Sequence, residues 1–174
     1  MTVSIRRDSR GGNMAELPAV LFVIFIVFFL PLVNIGTTAL RYSLLLASCK
    51  EGVHAAATAS TFEQSSPGKP SSQESASESV YDSISKFSGL YVDDIELRIV
   101  AVSKATGAVT VYSGKLAQPA NTRDNLYFIE SAVTARLDPL VTMKLPVSVP
   151  GLTSPWRTVL CLREFSESPQ GLNS

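Results

Sequence analysis

The side chains able to do chemistry are few and widely spaced: one histidine, His54, and two cysteines, Cys49 and Cys161. A thiol nucleophile needs a base within hydrogen-bond reach and a third group to orient that base. Cys49 and His54 stand five positions apart, whereas neighbours on a helix face stand three or four apart, so His54 reads as a solvated helix residue. Two thiols and one imidazole do not make a four-ligand zinc site. Asp93, Asp94 and Glu96 are able to gather a cation, but the glycine-bearing spacing of a calcium loop is missing and they read as solvated charge. No phosphate loop or dinucleotide fingerprint occurs. The sequence therefore assigns no catalytic residue, no metal, no cofactor and no small-molecule substrate. For the two cysteines the remaining chemistry is a bond to each other. Both fall on expected apolar faces of elements that should pack together, in a compartment where disulfides persist. A Cys49–Cys161 bond would close a loop of about 110 residues and be worth a few kcal/mol; the alternative is two separate buried thiols.

The elements that carry these residues follow from how the apolar residues are distributed. The chain has 174 residues, 45% of them hydrophobic and only 17% charged, and 15 Lys and Arg balance 15 Asp and Glu. Zero net charge with no basic stripe speaks against a nucleic-acid partner, since phosphate neutralisation needs a surplus of cations on one face. The run LPAVLFVIFIVFFLPLVNI, residues 17–35, holds no charge and matches the ~20 residues that cross a ~30 Å hydrocarbon core. Arg6, Arg7 and Arg10 precede it, opposed only by Asp8, which predicts a single-pass segment over about 17–38 with its N-terminus in the cytoplasm and the remainder outside.

Several positions inside this segment are unusual for a plain anchor. Glu16 stands at its mouth, where a carboxylate is costly unless paired or kept near the interface. Pro18 falls in the first turn and is tolerated, but Pro31 removes a backbone donor in the interior and predicts a kink or loosening there. Asn34, Gly36, Thr37 and Thr38 follow, small or polar groups that allow close helix approach or back-bond to freed carbonyls. Beyond the membrane run the helical pattern continues, with Leu45, Cys49, Val53 and Ala56 on one stripe. The expectation is one long helix over 12–60, half transmembrane and half amphipathic.

The rest reads as a small extracytoplasmic domain. Residues 61–79 are Ser-rich and broken by Pro67 and Pro70, a linker by composition. Its end predicts the start of a short helix in which Val80, Ile84 and Phe87 share a face before Gly89. Two β-branched segments, VDDIELRIVAVS and GAVTVYSGKL, flank a turn at residues 104–107 and predict a hairpin. YFIESAVTARLD and SPWRTVLCLREF supply two more strands. Trp156 and Tyr112 are expected in the core. The fold class is α+β, a long helix packed on a small antiparallel sheet within a domain over 80–166, followed by a tail over 167–174.

Residues Gly11-Gly12-Asn13-Met14-Ala15-Glu16 resemble the leader junction of type IV pilin-like precursors. The stretch RYSLLLASCKEGVHAAATAS after a charge-free span is similar to the N-terminal region of TadE-like and TadG-like minor pilins of the tight-adherence pilus. The C-terminal order of strand, Asp138-Pro139-Leu140, a loop with Leu145-Pro146 and Val149-Pro150-Gly151, and a last strand ending Leu162-Arg163-Glu164 also resembles that pattern. The resemblance implies a leader over 1–11 removed by a prepilin peptidase next to Gly11 or Gly12. It further implies a location in the bacterial inner membrane, and Glu16 as the residue that guides assembly with other pilin subunits and the pilus machinery, in adhesion, biofilm formation or secretion. A competing pattern is Leu46-Ala47-Ser48-Cys49, which matches a lipobox and would make the protein a lipid-anchored or signal-anchored accessory or binding domain. A hydrolase built on Cys49 and His54 is a third reading.

Overall fold

A computed structural model of the chain describes residues 12–142 and 153–174, with side chains from residue 16 onward. Helix α1 (Gly12–Thr58) runs for 47 residues, and α2 (Ser72–Ser85) packs on its upper half. Four strands follow, β1 (Leu90–Ser103), β2 (Val109–Ser113), β3 (Asn125–Leu137) and β4 (Trp156–Phe165), then a 3-10 helix at Pro169–Asn173. The class is α+β, as the sequence predicts. The strands form one antiparallel sheet in the order β2-β1-β3-β4.

Local chemistry accounts for most of these boundaries. The β1–β2 hairpin closes through Ser103, whose N–H donates to Ala108 and whose carbonyl accepts from Gly107, with Gly107 at a φ of 70°. That left-handed conformation is open to glycine without steric cost. Helix α1 ends where the N–H of Glu167 reaches the carbonyl of Ala57, one of the orphan acceptors of its last turn.

One face of the sheet lies over α1. The predicted stripe Leu45, Cys49, Val53 and Ala56 is buried along its whole length, as are the facing residues Leu97, Ile99, Ile129, Val133 and Leu160. Each fully buried aliphatic side chain of this kind contributes roughly 1.5–3 kcal/mol. The other face is open, with Val109, Val111, Val159 and Phe165 exposed and a row of charge across its middle.

The stretch expected as a linker is partly structural. Ser71 caps α2, its hydroxyl accepting from the N–H of Glu74, and Ser72 is buried with its hydroxyl donating to the carbonyl of Ala56. The helix therefore begins eight residues earlier than Val80, because a Ser-x-x-Glu start outweighs the polar composition. Ala76, Val80 and Ile84 form its buried face. Phe62, also inside the supposed linker, is wholly buried. The expected tail is structural as well: Leu172 is buried, and the N–H groups of Phe62 and Glu63 donate to Gly171 and Ser174 carbonyls.

Candidate functional site

The feature that stands apart from the domain is the first half of α1. From Leu17 to about Val33 its side chains point outward all round the helix, including Phe22, Phe25, Phe28 and Leu32, and Phe28 is 69% exposed. In water that surface would be strongly unfavourable. The helix is long and apolar enough to cross a membrane, and an all-round apolar surface is what a lipid or neighbouring-helix environment requires. Glu16 lies exposed at its base. Gly12 is the first described residue of α1, while Gly11, the rest of the expected leader and residues 143–152 lie outside the described residues.

Neither Pro31 nor Pro18, which stands inside the helix and not in its first turn, interrupts α1. The helix is continuous across Pro31, whose ring removes the donor that would reach the carbonyl of Val27. One turn further on, the hydroxyl of Thr37 donates to the carbonyl of Val33 at 2.8 Å, the back-bonding expected of this polar stretch.

Above Pro31 the sheet domain reaches down onto the helix. Asn34 is fully buried, and its side-chain amide donates to the carbonyl of Val141 at 2.7 Å while its oxygen accepts from the N–H of Val141 at 2.9 Å. Arg41 donates to the carbonyl of Asp138, and its guanidinium occupies the space where a Cβ on Gly89 would stand. Gly89 also has a φ of 75°, so a side chain there would be strained as well as obstructed. Tyr42 stacks on Trp156 with ring centroids 5.6 Å apart. Two levels of α1 about two turns apart, Asn34 and the adjacent pair Arg41 and Tyr42, are thus tied to the ends of β3 and β4. Sequence reading gave Asn34 to close helix approach or back-bonding; the signal for its contact with Val141 was a polar side chain in an apolar run, which must find a partner when buried.

Trp156 and Tyr112 are not core residues. Both are partly exposed, at 38% and 40%. Trp156 sits at the start of an edge strand, stacked on Tyr42.

Of the two readings of Cys49 and Cys161 the second holds in part: the thiols are separate and unbonded, but only Cys49 is buried. In β4 the inward positions are Leu160, which is buried against Cys49, and Leu162, so strand alternation turns Cys161 to the open face, opposite Ala132. Cys49 is buried and Cys161 exposed, both as free thiols. Burial pushes the Cys49 thiol up to about 12, which removes the thiolate a nucleophile needs. The same burial, in the middle of α1 and beneath both α2 and the sheet, leaves Cys49 a core residue and speaks against Cys49 as a lipidated N-terminus. His54 does not turn to Cys49. Its Nδ1 lies 2.7 Å from a carboxylate oxygen of Glu164, and that hydrogen bond, with the charge of Glu164, raises the His54 pKa.

On the open face Arg98 makes two hydrogen bonds to Glu96, holding that carboxyl below its ordinary value, and Arg163 donates to Glu130, whose side chain is only 9% exposed. Asp93 and Asp94 lie exposed beside a β-bulge. Comparison with protein-family models, curated proteins and solved structures returns no match.

Proposed function

We propose that this chain is a minor pilin, or pseudopilin, similar to TadE-like proteins, which a prepilin peptidase trims beside Gly11 or Gly12 and which then enters or primes a tight-adherence pilus. The observation that carries this reading is the division of α1. Its lower half is apolar on every side, and its upper half is the core of a small domain with an antiparallel sheet laid across it. Such a helix suits a subunit that is held in the inner membrane, N-terminus inside, and later stacks with its neighbours in an apolar filament core. Glu16 at the base of the helix would then pair with the amino terminus of an adjoining subunit, each charge offsetting the cost of taking the other out of water. In this reading the protein assembles with pilin subunits and does not turn over a substrate.

Intact mass and N-terminal peptide mapping of protein from its native membranes test the proposal. A mature chain starting at Gly12 or Asn13 is the expected result, with Glu16→Ala leaving the processed protein in the membrane but out of filaments. An uncut chain in native membranes would overturn the reading in favour of a signal-anchored accessory domain.

A further inference from the structure

The end of the sheet nearest the apolar helix has a composition that neither the core nor assembly explains. Arg136 and Arg157 stand directly opposite one another on β3 and β4. Like charges in that relation repel. Arg136 has the carboxylate of Asp138 at 3.6 Å, its Nε makes no hydrogen bond, and its guanidinium lies 4.9 Å from the ring of Tyr91. No carboxylate pairs with Arg157 among the described residues. Tyr91 and Trp156 are both partly exposed at this same end.

Helix arithmetic places this rim. Taking Leu17 as the first residue in hydrocarbon, a ~30 Å core is spanned by about residue 36. Asn34 then lies about 26 Å along the axis, just inside the hydrocarbon edge, and Tyr42 about 38 Å along it, in the headgroup layer. Trp156 stacks on Tyr42 and so shares its level. Leu140 and Val141, 54% and 40% exposed, hang below at the level of Asn34. Non-helical backbone at that depth must have its polar groups satisfied, and Asn34 satisfies both of those of Val141.

We infer that this rim is a phospholipid-contact surface, with Leu140 and Val141 dipping into the hydrocarbon edge, Trp156 and Tyr91 in the headgroup layer, and Arg136 and Arg157 sharing lipid phosphate. The aromatic rings match the amphipathic environment of the interface, and the phosphate supplies an anion to Arg157, which has none among the described residues, beside Arg136, whose Asp138 carboxylate stands 3.6 Å away. The inference rests on α1 spanning the membrane.

Trp156 is the only tryptophan, so its fluorescence reports the rim directly. The full chain is placed in phosphatidylcholine–phosphatidylglycerol nanodiscs carrying either a headgroup nitroxide or bromines near the acyl-chain ends. Trp156 is expected to be quenched by the headgroup label and shielded from aqueous iodide. A second protein, with Trp156→Phe and Phe28→Trp, reads the helix and is expected to respond to the deep bromines. Replacing both Arg136 and Arg157 with Gln is expected to lower the headgroup quenching of Trp156 roughly twofold or more. Trp156 open to iodide and blind to the headgroup label, with the Phe28 reporter still deep, would overturn the rim and leave the span intact. A Phe28 reporter blind to the bromines would overturn the span itself, and the rim with it.

Discussion

The side chain of Asn34 in α1 makes two hydrogen bonds to the main chain of Val141, 107 residues away, as a neighbouring strand would. Each buried polar group left without a partner costs about 1–3 kcal/mol, and more in an apolar surround. Asn34→Leu should therefore release this segment from the helix while leaving the upper core intact. Hydrogen exchange checks it: the Val141 amide is expected to exchange about tenfold faster or more, equivalent to about 1.4 kcal/mol. The amides of Ile129 and Val133 should keep their protection.

The two thiols should behave differently toward a maleimide. In the folded protein one adduct is expected, at Cys161, since Cys49 is sealed in the core with its pKa raised. A second appears after denaturation. Mass before and after reduction should not change, and a shift of two hydrogens would contradict the outward turn of Cys161.

His54 and Glu164 give the fold a pH dependence of definite sign. The folded pKa of His54 is raised by its hydrogen bond to Glu164, so the pair contributes stability that is fully present below the unfolded value of about 6.5 and is lost as pH rises through the folded value. With a single histidine, the imidazole proton resonance titrates without ambiguity. Glu164→Gln should return its pKa toward the unperturbed value, and the midpoint of unfolding should become less sensitive to pH above about 6.5. The pair is exposed, so the effect on stability is small.

Gly52 is where α1 packs tightly against α2. A Cβ there would stand 2.4 Å from a methyl group of Val80 and 3.2 Å from the carbonyl of Ala76. Gly52→Val should cost about 1–3 kcal/mol through overpacking, read as a lower thermal midpoint. Because α2 is covered by little else, the same substitution should raise exchange across Ser72–Ser85 more than across β3.

The long-range plan of the fold was legible because its periodicity is strong. The stripe from Leu45 to Ala56, the hairpin at Gly107 and all four strands occur as read, to within a few residues. What escaped was set by partners distant in sequence. Ser72 looks like linker until the carbonyl of Ala56 is there to receive its hydroxyl. Leu172 looks like tail until Phe62 and Leu116 close over it. The parity of β4 was hidden by the run Val159-Leu160-Cys161-Leu162, in which both faces are apolar, so that either could have been the inner one. At the junction, Asn34, Arg41 and Trp156 were visible as residue types, but their meeting depends on where the ends of β3 and β4 fall along the helix.

Helix α1 is about 70 Å long and has no break between its apolar and core-forming halves. It acts as a drive shaft. The side chains of one end are gripped by whatever surrounds them, those of the other end are keyed into the sheet, and the ties at Asn34, Arg41 and Tyr42 prevent slip between the two. Turning the apolar end by one residue's worth of helical rotation, about 100°, would swing the open face of the sheet through the same angle. The heading of the outer domain would thereby follow the rotation of the apolar end.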